Sequence, residues 1–368
     1  MITGGPGTGK TTIIKCIIDM FKKENKKVVL CAPTGRAAKR MTQTTNEEAK
    51  TIHRLLEIGK IDEEGKIADV DYDIAPIDAD LIIIDEMSMV DTIIFNYILK
   101  GIYQGTKLIL VGDSNQLQSV GPGNILKDII ESEKIATVSL NKIFRQAARS
   151  KIVLNAHNGI GFLKKEDIKE DDLLQDFFHI NETNQEKVLY NLISLCTTRL
   201  KNYGDYDFFK NIQVLTPTKK GTLGTKELNK ILQQALNPET DYSKQKQSGD
   251  RTFIVGDRVM QVKNNYDIIW EKENEHIMGG TGIFNGELGI ITNIDEEEKQ
   301  IKVNFDDEKS AWYTYSDLDQ LEHAYAITIH KSQGSEFDVV VLVLPQSSPM
   351  LLTRNLLYTA ITRAKKLL

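Results

Sequence analysis

The segment Gly4-Gly5-Pro6-Gly7-Thr8-Gly9-Lys10-Thr11 constrains this chain more than any other, because it fits the spacing G-x-x-x-x-G-K-[ST] of a phosphate-cradling loop. Glycines let successive backbone N–H groups turn inward onto phosphate oxygens, and the N-terminus of a following helix adds partial positive charge. Ile13, Ile14, Ile17, Ile18 and Phe21 recur at helical spacing directly afterwards, so a helix with one apolar face is expected to start near Thr11. In that setting Lys10 reaches the β and γ phosphates of ATP and Thr11 ligates Mg2+. Gly5, Pro6, Gly7, Thr8, Gly9 and Thr12 complete the cradle.

A loop of this kind belongs between a strand and a helix, and the rest of the chain supplies matching elements. The apolar runs Val28 to Ala32, Leu81 to Ile84, Leu108 to Val111 and Val339 to Leu344 are bounded by Gly, Pro, Asp or Thr. They read as strands buried on both faces of a parallel sheet, and the helical patterns between them make the fold class α/β. The second run ends in Asp85-Glu86, which places two carboxylates at a strand's carboxyl end, beside the loop. Asp85 is expected to hold hydrated Mg2+, and Glu86 to orient and deprotonate the attacking water. The third run leads into Gly112-Asp113-Ser114-Asn115-Gln116-Leu117, where Gln116 is either a γ-phosphate sensor or a solvated loop amide.

Composition narrows the class without choosing the partner. A net charge of −6 argues against a chain that coats itself in nucleic acid but allows a local basic groove. With 40% hydrophobic and 27% charged residues, and no apolar run near the ~20 residues of a membrane span, a soluble cytoplasmic protein without a membrane partner is expected. Met1-Ile2-Thr3 runs straight into the glycine loop, so no signal peptide is expected. Cys16, Cys31 and Cys196 are few and odd in number, so buried free thiols are expected rather than disulfides or zinc, and the histidines lack metal-ligand spacing. From Gly286 to about Leu321 the pattern changes. Ile301, Val303 and Phe305 alternate with Lys302 and Asn304, as in a small antiparallel β unit inserted in a second large domain.

Taken in order, GGPGTGKTT, CAPTGRAAKRM, TIHRLL, IIIDEMSMVD, VGDSNQLQSVGPG, LNKIFRQ, FNGELG, AITIHKSQGSEFD and LYTAITRAKK resemble the motif series of superfamily 1 helicases, most closely the RecD-like branch. The resemblance covers nearly the whole chain. It implies two RecA-like P-loop NTPase domains with parallel sheets and an SH3-like antiparallel β insert in the second. The expected division is 1–140, then 141–252 with 322–368, and 253–321 for the insert. It further implies ATP between the two domains, catalytic arginines at Arg145 and Arg363, and nucleotide contacts from Gly334 and Glu336. A guanidinium stabilising the transferring phosphoryl group is worth ~10³ to 10⁵ in rate. A surface salt bridge is the alternative for each arginine.

Nucleic-acid contacts carried by the same resemblance are Thr34, Arg36, Thr51, His53, Thr216, Pro217, Asn264, Asn285, His330 and Ser332, with Gly286 beside the insert pair. These residue types suit phosphate contacts that position DNA without reading bases. Thr51 could instead cap the helix that follows, His53 could be a satisfied buried histidine, and His330 and Ser332 could shape a turn. Trp270, Trp312 and Tyr315 either stack on bases or form the insert's own core. Residues 59–80, with turn signals at Glu63-Glu64-Gly65, stand where the family carries a duplex-splitting pin, and an exposed hairpin fits equally.

The chain departs from the family at both ends. It starts at the loop, without the upstream glutamine that reads adenine, and stops directly after the last motif, so a fragment with impaired nucleotide selectivity is the expectation. The implied function is a motor stepping 5′ to 3′ on single-stranded DNA and opening ss/ds junctions, with partner subunits of a nuclease-helicase complex as candidates. Three other readings stay open. One is a nucleic-acid-stimulated ATPase that separates no strands; another is a P-loop small-molecule kinase or metabolic ATPase, which leaves AITIHKSQGSEFD and AITRAKK idle. The last is a part of a conjugative relaxase-helicase.

Overall fold

A computed structural model describes residues 1–58, 74, 76–142, 149–158, 174–238, 241, 244–272, 278–305, 309–345 and 351–368. They fall into two units, Met1–Gln175 and Asp176–Leu368. The first runs β1 (Ile2–Gly4), α1 (Lys10–Lys23), β2 (Val28–Ala32), α2 (Gly35–Thr45), β3 (Ala49–Thr51), α3 (Ile52–Leu55), β4 (Leu81–Ile84), α4 (Thr92–Gly101), β5 (Lys107–Gly112), α5 (Ile125–Ser132), β6 (Val138–Leu140) and α6 (Lys151–Asn158). Its sheet has the order β3-β2-β4-β5-β1-β6, with every pair parallel.

Central position explains the composition of β4. Ile82 and Ile84 pack with Ile52, Leu56 and Ile98 on one face, while Leu81 and Ile83 pack with Ile14 and Ile18 on the other. A strand covered on both faces has no polar side, so it reads as an unbroken apolar run. Each such side chain contributes about 1.5–3 kcal/mol relative to exposure. The helix face follows equally simple geometry. Ile14 and Ile18 of α1 are buried, whereas Cys16 lies ~200° around the helix from Ile14 and is exposed. That corrects the expectation of three buried thiols: only Cys31, in β2, and Cys196 are buried.

The second unit begins with α7 (Gln185–Ser194), a π turn at Leu195–Arg199, α8 (Leu200–Gly204) and α9 (Phe208–Asn211). Next come β7 (Ile212–Thr216), α10 (Thr225–Leu236) and the hairpin of β8 (Gln245–Ser248) and β9 (Arg251–Ile254). An antiparallel run follows: β10 (Arg258–Gln261), β11 (Asn265–Lys272), β12 (Met278–Ile283), β13 (Leu288–Asp295), β14 (Gln300–Phe305), β15 (Lys309–Thr314) and β16 (Leu321–His323). β17 (Ala326–Thr328), β18 (Phe337–Leu342), α11 (Arg354–Ile361) and β19 (Ala364–Leu367) complete the unit. A parallel sheet has the order β17-β7-β18-β19, and the antiparallel one the order β12-β11-β15-β14-β13-β10-β16. The antiparallel sheet therefore interrupts a parallel one, since β7 and β17 are direct neighbours.

Alternation along β14 works as read from the sequence: Ile301, Val303 and Phe305 join a core with Phe253 and Tyr313. Trp270 and Tyr315 pack against that core, while Trp312 is 37% exposed beneath the Lys302 ammonium. At the base of the insert the fully buried Asp257 carboxylate collects five donors. Oδ2 accepts from Gln233 Nε2 (2.7 Å), the Ile254 N–H (2.8 Å) and His323 Nε2 (3.1 Å). Oδ1 accepts from Tyr325 OH (2.8 Å) and Asn237 Nδ2 (3.0 Å). Burial and the Asp257 carboxylate together hold the Tyr325 hydroxyl far above its ordinary range. Among the described residues no helix is long and apolar enough to cross a membrane.

Candidate functional site

The glycine loop leaves the carboxyl end of β1 and runs into α1. Gly7 (φ 71°) and Gly9 (φ 84°) adopt left-handed backbone that a Cβ would strain, which is why glycine recurs there. Gly9 also starts α1, its carbonyl accepting from the Ile13 N–H at 3.1 Å. Side chains hold the loop's carbonyls. Lys10 Nζ donates to Gly4 O (2.6 Å) and Gly5 O (2.9 Å), and the buried Thr8 hydroxyl donates to Gly5 O (2.8 Å). Thr11 follows half-buried in the first turn of α1, and Thr12 is exposed.

Asp85 and Glu86 sit just past β4, at the carboxyl edge from which the loop also springs. The Asp85 N–H donates to Cys31 O (3.0 Å), and its Oδ1 accepts from the Glu86 N–H (2.8 Å), with Glu86 in left-handed backbone (φ 56°). Burial and then the neighbouring Glu86 carboxylate push the Asp85 carboxyl up to about 6, against the pull of that N–H bond and the Lys10 and Arg40 charges. Lys10, Asp85 and Glu86 are thus brought into one electrostatic cluster. A carboxylate shielded from water and crowded by a second one offers oxygen donors of the kind that suit a small hard cation such as Mg2+. Gln116 lies buried in the loop after β5, its N–H donating to Asp113 O (3.2 Å). Arg145 lies outside the described residues, as does the turn at Glu63-Glu64-Gly65 within the stretch read as a pin.

In the second unit Gly334, Glu336 and Arg363 come together. Gly334 is left-handed (φ 72°), Glu336 approaches the Lys365 ammonium at 4.0 Å, and Arg363 is only 2% exposed. The Arg363 guanidinium donates to Thr359 O (3.1 Å), Ser335 O (3.0 Å) and Thr362 Oγ1 (3.2 Å). At 2% exposure Arg363 is not a surface residue. Its guanidinium is held internally by neighbouring oxygens.

The residues expected at nucleic acid divide by how their polar atoms are used. Thr34 follows β2 by two residues and Thr51 ends the adjacent strand β3, and each caps the next helix, accepting from the N–H of Ala37 and Arg54 respectively at 3.2 Å. Arg36 lies in the first turn of α2. Burial pulls the His53 ring below the usual histidine range, and the Asp91 charge opposes it only in part. Thr216 is fully buried with its hydroxyl on Leu223 O (2.8 Å), beside buried Pro217, and Ser332 is fully buried with its hydroxyl on Ile329 O (2.7 Å). His330 is exposed. Asn264 Oδ1 accepts from the Asn285 N–H (3.0 Å), joining the insert pair beside left-handed Gly286 (φ 95°). One contact carried no sequence signal: His157 of α6 places Nε2 3.2 Å from Pro6 O.

A parallel sheet with a glycine loop between β1 and α1, and an acid pair closing β4, defines a P-loop ATPase domain. Residues 1–122 match an AAA domain, 228–305 the SH3 domain of ATP-dependent RecD-like DNA helicases, and 323–368 the C-terminal domain of UvrD-like helicases. The chain is 34% identical over 365 residues to the ATP-dependent RecD2 DNA helicase of Deinococcus radiodurans, spanning 99% of this chain but about half, 46%, of that protein. It is 30% identical over 430 residues to the RecBCD enzyme subunit RecD of Buchnera aphidicola subsp. Schizaphis graminum, spanning 99% of this chain and 69% of that one. The chain belongs to the RecD-like branch of the superfamily 1 DNA helicases. Among solved structures, the Pif1 helicase from Bacteroides in complex with ADP-AlF3 and ssDNA shares the fold, with a TM-score of 0.52 at 20% identity over 99% of this chain and 86% of that one.

Proposed function

We propose that this chain is the motor of an ATP-dependent DNA helicase, hydrolysing ATP to move 5′ to 3′ along single-stranded DNA and part strands at ss/ds junctions. The observation that carries the reading is the cluster of Lys10, Asp85 and Glu86 at one carboxyl edge of a parallel sheet, in a chain of RecD-like membership. Lys10 holds the β and γ phosphates, residues Gly5 to Thr12 cradle them, and Glu86 takes the proton of the attacking water. Thr11 and Asp85 would hold Mg2+, which when bound neutralises charge on the phosphate oxygens. Gln116, Arg145, Gly334, Glu336 and Arg363 supply the remaining nucleotide contacts. We assign the RecA-like domains to 1–140 and to 141–252 with 322–368, and the insert to 253–321.

We assign the grip on DNA phosphates, in the cytoplasm, to the segments that carry Thr34, Arg36, Thr51, His53, Thr216, Pro217, Asn264, Asn285, His330 and Ser332. The buried Thr216 and Ser332 hydroxyls are spent on Leu223 O and Ile329 O, so those two positions shape the backbone that meets the strand rather than reach it themselves. Membership of one relative in a RecBCD enzyme supports partner subunits here as well. The deciding measurement is ATPase rate with and without single-stranded DNA, in the intact chain and in Lys10→Ala, beside strand displacement from a forked duplex. Strong stimulation by DNA, lost by about 10²-fold or more in Lys10→Ala, is expected together with displacement. ATP turnover indifferent to DNA would replace the reading with a small-molecule ATPase. Stimulation without displacement would leave a translocase.

A further inference from the structure

The geometry points to His157 as a positioning residue for the glycine loop, reaching it from 151 residues away in sequence. It rests on the reading of the loop as a nucleotide site. A planar trans peptide sends its C=O and the following N–H in opposite directions, so fixing one fixes the other. Holding Pro6 O therefore orients the Gly7 N–H, which belongs to the set of amides that a phosphate needs turned toward it.

The rest of the loop shows why that bond matters. Lys10 holds the Gly4 and Gly5 carbonyls, and Thr8 holds the Gly5 carbonyl as well. The Gly5 carbonyl shares its peptide with Pro6, which has no N–H to aim. Lys10 itself must serve phosphate oxygens, so its grip on the carbonyls cannot be permanent. His157 has no such second duty, and left-handed Gly7, exposed and without a side chain, offers little resistance to a peptide flip.

The helix that carries the ring is anchored independently. Ile152, Leu154 and Ala156 of α6 are buried, and the Ser150 hydroxyl accepts from the Val153 N–H at 3.3 Å. Pro6 O can only accept, so His157 is the donor, through Nε2.

The test compares His157→Leu, similar in bulk but without a donor, with His157→Gln, whose Nε2 sits where the histidine Nε2 does. The readouts are the Kd of a fluorescent ADP with Mg2+, KM and kcat for ATP, and Tm. His157→Leu is expected to weaken ADP binding and raise KM about five- to tenfold, the worth of one shielded hydrogen bond, with kcat within about twofold. His157→Gln is expected to recover binding to within about twofold of the parent chain. Equal binding by Leu and the parent, or equal loss in Leu and Gln, overturns the inference, because a purely structural ring would move Tm without that donor-dependent rescue. Should the parent chain bind ADP but fail to turn over ATP, the hydrolytic reading falls while the binding series still decides on His157. Absence of binding in the parent chain overturns both.

Discussion

Removing the Asp257 carboxylate should unfold the second unit's junction at a cost that can be worked from its partners. In Asp257→Ala, Gln233 and Asn237 keep carbonyl acceptors at Thr252 (2.9 Å) and Val255 (3.1 Å). The loss falls on the Ile254 N–H, the His323 ring and the Tyr325 hydroxyl, each left in a shielded place. An unsatisfied buried group costs about 1–3 kcal/mol, so the three together come to roughly 3–9 kcal/mol, against a typical domain stability of about 5–15 kcal/mol. Asp257→Asn retains one acceptor oxygen and should cost about half as much. The chain's two tryptophans, Trp270 and Trp312, both lie in the antiparallel sheet next to this junction, so tryptophan fluorescence during urea unfolding reads the right region. Tyr325→Phe in the Ala background should cost less than in the parent, because the hydroxyl it deletes is already orphaned. An unshifted urea midpoint in Asp257→Ala, or full additivity with Tyr325→Phe, would refute the reasoning.

Thiol chemistry and alkaline pH give two further expectations. Of the three cysteines, Cys16 alone should react quickly with an aromatic disulfide at pH 8, while Cys31 and Cys196 react only after urea unfolding; rapid release of more than one equivalent would contradict the burial pattern. Burial pushes the Cys31 and Cys196 thiols up to about 12 from an ordinary 9.0. The folded chain then keeps protons that the unfolded chain has released. This stability is complete below pH about 9 and is lost as pH rises toward about 12, by at most ~4 kcal/mol per thiol. The urea midpoint should fall from pH 9 to 11, and Cys196→Ala should flatten that fall; parallel curves for the two proteins would count against it.

What could be read from residues alone follows the range of the interactions involved. The bounds of β2 and β4 match their apolar runs because a strand sealed on both faces writes its limits as a change of polarity. β18 lies two residues earlier than its run, since Val343 and Leu344 stay apolar after the pairing with β7 has ended at Leu342. Cys16 is exposed for a different reason. Apolar flanks along the sequence say little about a helix, where the neighbours that matter are three and four residues away. The capping reading of Thr51 could be made from residue type, being local. No pattern announced the contact of His157 with Pro6 or of Arg363 with Ser335, because each joins segments that only the tertiary fold brings side by side.

The Asp257 junction also bears on how such a chain could have been assembled. β10 departs and β16 returns as paired neighbours, with Val259 opposite His323, and Asp257 and His323 share a hydrogen bond at that seam. Asn229 of α10 then secures the Ala326 N–H and carbonyl where the parallel sheet resumes. The two ends of the intervening stretch are thus stitched together before any of its own residues are counted. Such a seam behaves as a grafting point: whatever length of chain lies above it, the parallel sheet below meets the same pair of ends, so shortening or lengthening the far turns of the antiparallel sheet should leave the parallel sheet folded.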